Sequence, residues 1–135
     1  MKNILSICAT ILLINTPLYA ADQGNMNEWV ARAQFTTNVI DREPVDDVTE
    51  LTNDIDKILF FTELRSMTGQ TVTHRWEYNG SVMAEVSFDI GGPRWRVYSS
   101  KNLLPSQTGE WKVSVVDGAG DIITEKTFNY TEANM

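Results

Sequence analysis

The chain has 135 residues, with eleven basic and eighteen acidic side chains, a formal charge of −7 and a single cysteine. That length suits one domain, and the acid surplus repels phosphate backbones, so nucleic acid is not an expected partner. A lone cysteine makes no internal disulfide and no cysteine-based zinc site.

Residues 1–20 have the layout of a secretory signal peptide. Met1-Lys2-Asn3 is a short positive start, ILSICATILLI supplies the apolar stretch, Pro17 breaks it, and Ala20 precedes the expected cut. The apolar run falls short of the roughly 20 residues that a spanning helix needs, so no membrane span is expected once the leader is gone. Cleavage removes Cys8 and Lys2, which leaves no cysteine, lowers the basic residues from eleven to ten and takes the charge from −7 to −8. The expected location is periplasmic or secreted. Residues 21–29 are a polar lead-in, and residues 30–131 are expected to form the folded domain.

From there the dominant period is two. ARAQFTTNV places Ala31, Ala33, Phe35, Thr37 and Val39 on one face of a strand, with Arg32, Gln34, Thr36 and Asn38 on the other. DREPVDDVTELTNDID, residues 41–56, is an acid-rich connection with room for one helical turn capped by Asp46 or Asp47. KILFFTELRS is apolar on both faces at Ile58, Leu59, Phe60 and Phe61, as suits a strand in the middle of a sheet.

HRWEYNGSVMAEVSF has the Asn-Gly signal of a hairpin. A two-residue Asn79-Gly80 loop, continued without interruption, would set the apolar face of one arm against the polar face of the other. A three-residue loop, Tyr78-Asn79-Gly80, with Gly80 left-handed in a bulge, repairs the mismatch. It predicts Trp76 opposite Val82, His74 opposite Ala84 and Val72 opposite Val86.

GGPRWRVYSSKNLLP turns a Gly-Gly-Pro corner into a strand with Arg94, Arg96 and Tyr98 on one side and Trp95, Val97 and Ser99 turned inward. SQTGEWKVSVVDGAGDIITEKTFNY forms a second hairpin around DGAGD. Turn signals at this spacing predict an all-β, immunoglobulin-like β-sandwich of about seven antiparallel strands with no disulfide.

The stretches RAQFTTNVIDREPVD, FFTEL, GQTVTHRWEYNG, VMAEVSFDIGGPRWRVYSSKNL and GEWKVSVVD together resemble the domain-of-unknown-function 2914 family, bacterial secreted or envelope domains. The resemblance covers residues 30–130 and implies a small β-sandwich of bacterial origin. It brings no catalytic or binding residue with it.

His74, the single histidine, shares a face with Val72 and Trp76 and is expected to be a hydrogen-bonded, half-buried structural residue. The candidate site is RWRVYSSK. Arg94, Arg96 and Tyr98 form a fork of guanidinium groups beside a phenol, with Lys101 at the strand's end, suited to a carboxylate or phosphate. Glu85, Glu77 or Glu63 are the acids that could instead absorb those charges. The acidic stretches lack the alternating ligand spacing of a calcium loop, and no nucleophile elbow, P-loop or dinucleotide fingerprint is present. No catalytic residue, metal or cofactor is therefore expected. Four tryptophans remain informative: one exposed beside the arginine strand would favour a sugar or protein partner, whereas four buried ones would be packing. The expected function is a non-enzymatic module binding an envelope protein or glycan. The alternatives are an assembly module pairing through a free edge strand and, third, a hydrolase.

Overall fold

The computed structural model describes residues 28–134 of the chain, so the signal peptide and most of the lead-in lie outside the described residues. Ten strands follow one another: β1 (Val30–Thr36), β2 (Val39–Ile40), β3 (Glu43–Pro44), β4 (Glu50–Thr52), β5 (Lys57–Arg65), β6 (Thr71–Tyr78), β7 (Ser81–Asp89), β8 (Arg94–Asn102), β9 (Gly109–Val116) and β10 (Ile122–Thr131). Seven of them are long, and β2, β3 and β4 have only two or three residues each.

Strands β1-β5-β8 make one sheet, β4-β10-β9-β6-β7 the other, and β2-β3 a separate ribbon. Among the long strands, the first, second and fifth thus face the third, fourth, sixth and seventh, which is an immunoglobulin-like sandwich. The rings interleave between the layers. Phe35 lies 4.8 Å from Phe60 in its own sheet and 4.7 Å from Phe128 in the other, with Trp76 at 6.0 Å.

One pairing is not antiparallel. The connection at residues 41–56 forms no helical turn; it yields β3 and then β4, which runs parallel to β10. Asp46 caps no helix, because its carboxylate accepts hydrogen bonds from Thr36 Oγ1 (2.7 Å), Thr37 N (2.8 Å) and Thr37 Oγ1 (2.6 Å), tying the connection to the end of β1. β4 then covers the edge of β10, whose backbone groups would otherwise lack partners.

The first hairpin keeps its two-residue turn. Tyr78 pairs with Ser81, and Asn79 (φ 50°) and Gly80 (φ 83°) are both left-handed, as the tight Asn-Gly turn requires. The three-residue loop is therefore incorrect, although the positive φ at Gly80 is as expected. The parity mismatch is repaired one pair further on. Glu77 opposes Val82 but Trp76 opposes Ala84, so Met83 is an extra residue in β7. His74 then faces Val86 and Val72 faces Phe88. A bulge and a longer loop correct the same mismatch, and the chain uses the bulge. A similar irregularity in β1 pairs Val30 with Leu64 and Arg32 with Glu63. It removes Ala31 from the inner face and turns Val30 inward.

In the middle strand β5, Ile58, Phe60 and Leu64 join the core between the sheets, while Leu59, Phe61 and Glu63 alternate with them and are buried as well. Alternation gives these three to the outer side of the β1-β5-β8 sheet, where the candidate site lies.

Candidate functional site

The site grows outward from one carboxylate. Glu63 is only 2% exposed and is surrounded by three guanidinium groups. Arg32 Nε donates to its Oε1 at 2.8 Å, while Arg65 Nη2 and Arg94 Nε donate to Oε2 at 2.7 Å each. The β-ladder dictates this meeting. Glu63 pairs with Arg32 on β1 and with Arg96 on β8, and Arg65 with Arg94. Burial pushes the Glu63 carboxyl up, but the hydrogen bonds from Arg94, Arg65 and Arg32 outweigh it and hold the pKa at about 2.

A second carboxylate arrives from the ribbon. Residues Asp41 (φ 52°) and Arg42 (φ 64°) make the tight turn between β2 and β3. Two consecutive non-glycine residues in the left-handed region cost on the order of 1–3 kcal/mol each, so this turn is held by its surroundings. The turn delivers Glu43, which receives Arg32 Nη1 and Nη2 at 2.8 and 2.9 Å and Arg96 Nη1 on the same carboxylate. Hydrogen bonds from Arg32 and Arg96 lower its pKa to about 2. Arg32 links the two glutamates and also lies 5.0 Å from the Phe61 ring, covering that outward-facing aromatic.

Beside this network is a recess of about 250 Å³ lined by Arg42, Arg94, Trp95 and Arg96. Five of the chain's six arginines gather here against Glu43 and Glu63, a local surplus of three positive charges in a chain of net charge −7. A guanidinium has five N–H donors. Arg94 spends Nε on Glu63, Arg96 spends Nη1 on Glu43 and on the Arg42 carbonyl, and the Arg42 side chain has no hydrogen-bond partner among the described residues. The remaining donors are available to an anion.

Of the candidate residues, Arg94, Arg96 and Tyr98 share the outer side of β8 as expected, with Tyr98 exposed and paired with Phe61. Lys101 does not join them. It pairs with the core residue Ile58, and its Nζ lies 5.8 Å from the Trp111 ring and donates to the Asn102 carbonyl. An odd step along a strand changes face, so Lys101 belongs to the opposite side from Arg94 and Arg96. Trp95 does turn to the opposite face from Arg94 and Arg96, as expected, since it pairs with the core residue Leu64. At the sheet's edge it stays 38% exposed, whereas Trp76 and Trp111 are wholly buried. Of the acids expected to absorb the arginines, Glu63 does so. Glu85 takes Arg75 instead, and Glu77 lies near Lys112.

Sequence reasoning missed Arg32, Arg42, Glu43 and Arg65. Arg32 was legible as a residue of the polar face of β1. Arg42 and Glu43 lie on a connection whose path no periodicity reveals.

His74 sits in the core, not half-buried at the surface. It is 0% exposed, with Nε2 2.7 Å from Thr62 Oγ1 and Nδ1 2.8 Å from Ser99 Oγ, while Trp76 Nε1 also donates to Ser99. The imidazole therefore bridges the two sheets. Burial lowers its pKa to about 3, so the imidazole is held neutral. The acidic turn between β9 and β10 is satisfied by its own backbone, with Asp117 accepting from Ala119 N and Asp121 N at 2.9 Å each.

Comparison with known proteins agrees with the family resemblance. Residues 69–130 match the family described as "Protein of unknown function (DUF2914)", the family the sequence resembles. No curated protein matches the chain. Among solved structures, the chain is similar to the CARDB domain of the PF1109 protein from Pyrococcus furiosus, crystallised in complex with di-metal ions. That similarity has 11% identity and a TM-score of 0.44, and covers 82% of this chain and 95% of that one.

Proposed function

We propose that the chain is an exported, non-enzymatic binding module, periplasmic or secreted, that holds a carboxylate- or phosphate-bearing envelope partner on the outer face of the β1-β5-β8 sheet. The observation that carries this reading is the recess among Arg42, Arg94 and Arg96, whose guanidinium groups keep unspent donors. Arginine suits the task because its planar fork receives carboxylate or phosphate oxygens in pairs and stays charged. The signal-peptide layout of residues 1–20 supports export. The sealed, neutral His74 offers no base to a bound molecule, which favours binding over catalysis.

The test is calorimetric titration of the protein with citrate and with pyrophosphate. Wild type binds at least one of them, and Arg42→Glu abolishes binding without changing the melting temperature, because Arg42 is exposed and anchors nothing through its side chain. Equal binding by wild type and Arg42→Glu, or no binding by either, overturns the reading.

A second arrangement has support in the free edge of β7, a nine-residue terminal strand with exposed Val82 and Met83. Assembly through that edge would show as a dimer in sedimentation that Val82→Lys dissolves. The bulge at Met83 and the charges of Glu85 and Asp89 are features that blunt edges against such pairing.

A further inference from the structure

Resting on the anion-binding reading above, we infer that the partner is an extended acidic peptide, a strand of another protein that adds to the outer edge of β8. Strand β8 is terminal in its sheet, with β5 as its one strand neighbour among the described residues. It pairs with β5 through nine consecutive residues, with no bulge to turn its other edge away from a newcomer. The recess follows this strand. Arg94, Trp95 and Arg96 are consecutive, and Trp95 leaves on the opposite side from its neighbours, so a hollow that touches all three runs along the main chain.

The two faces of β8 together specify the added strand. On the outer face, Arg94 and Arg96 are two residues apart, a repeat of about 6.6 Å along a strand. Acids at alternate positions of a paired strand have the same repeat, and the donors that Arg94 and Arg96 do not give to Glu63 and Glu43 receive them. On the inner face, the three-stranded sheet stops short of the five-stranded one. His74 and Trp76 of β6 reach Ser99 of β8, so β8 stands opposite β6. β7 lies one strand further out. Its Ala84, Val86 and Phe88 pair with Trp76, His74 and Val72, face inward with them, and are only half-buried. Trp95 is on that inner side too, its indole against Gly91 and Gly92 and part of its surface exposed. A strand beside β8 lies over this apolar shelf, so its second set of side chains is apolar. Main-chain hydrogen bonds to the edge supply the rest, the mode of strand addition. A second copy is disfavoured as occupant, because antiparallel pairing through β8 brings its own arginine cluster to the same outer face, where like charges repel. A polyuronate supplies carboxylates but no ladder of main-chain N–H donors.

The experiment measures, by fluorescence anisotropy, the binding of labelled peptides matched to the nine residues of β8. Wild type binds a peptide of alternating glutamate and valine about tenfold tighter than versions with lysine for glutamate or serine for valine, one decade in Kd. N-methylation of one alternate set of peptide amides abolishes binding, whereas methylation of the other set, which points to solvent, leaves it intact. Hydrogen exchange of the wild-type protein adds a readout free of any variant's folding: the bound peptide slows amides of β8 and leaves those of β4 unchanged. Equal binding of the lysine or serine peptide, equal effects of the two methylated sets, or unchanged exchange in β8 overturns the inference. So does trigalacturonate binding as tightly as the glutamate–valine peptide, which makes the partner a glycan. If citrate or pyrophosphate binds and that peptide does not, the strand partner falls and the anion reading stands. If none of the three binds, both fall together.

Discussion

The buried imidazole of His74 makes a quantitative prediction about acid stability. Its folded-state pKa is lowered from 6.5 to about 3 by burial, and it is the chain's single histidine. Between those values the unfolded chain binds a proton that the native state refuses, so the contribution is fully present above pH 6.5 and is lost as pH falls. One pH unit corresponds to about 1.4 kcal/mol, and at pH 6.5 half of the unfolded chains already carry the proton, so moving from pH 6.5 to pH 4.5 removes on the order of 2 kcal/mol. That window is chosen because the lowered carboxyls of Glu43 and Glu63 begin to withdraw their contribution only below their unfolded value of 4.5. The assay is urea unfolding at half-unit steps from pH 7 to pH 4.5, on wild type and His74→Gln. Glutamine keeps a donor and an acceptor for Thr62 and Ser99 but does not titrate, so the variant is less stable at pH 7 and nearly flat across the window. A flat wild-type curve, or an equal slope in the variant, refutes the assignment. So does an imidazole resonance titrating near pH 6.5 in the native protein.

Other outcomes rest on the same geometry. Glu63→Gln leaves Arg32, Arg65 and Arg94 around a neutral amide. Their side chains are 35%, 49% and 53% exposed, so water takes up part of the loss. The cost is about 1–3 kcal/mol, read as a lower urea midpoint with unchanged circular dichroism. Glu43→Gln frees Arg32 and Arg96 from an internal carboxylate, so the affinity for citrate rises several-fold; an unchanged affinity means that Glu43 does not compete for the fork. Gly80→Ala meets no neighbour but must hold φ 83°, a strain of about 1–2 kcal/mol, whereas a loss below a few tenths in urea unfolding would contradict a left-handed turn residue. Trp76→Ala empties a wholly buried site in the core and costs about 3–5 kcal/mol, measured in the same unfolding series.

Much of the sandwich was legible because strand side chains alternate and the core selects one parity. Val72, His74 and Trp76, or Trp111, Val113 and Val115, identify inner faces by period alone. The unbroken apolar run of Ile58, Leu59, Phe60 and Phe61 likewise marked the middle strand before any contact was known. Parity fails where one residue is inserted. At Met83 and Ala31 the alternation shifts by one, so residues on either side of the insertion no longer keep a common face by simple counting. A bulge leaves no compositional trace when a longer loop would satisfy the same pattern.

The sequence by itself determined that period-two strands would enclose aromatic rings, and that Arg94, Arg96 and Tyr98 would share a side of one strand. Only the tertiary structure decided what those arginines do. Glu43 lies 53 positions from Arg96, and Glu63 lies 31 from both Arg32 and Arg94. Pairings over such separations depend on which strands become neighbours and where a short ribbon folds back. Local spacing carries no record of either, so the balance between spent and unspent guanidinium donors, and the exposure of Trp95 on its glycine corner, emerge only when the sheets are assembled.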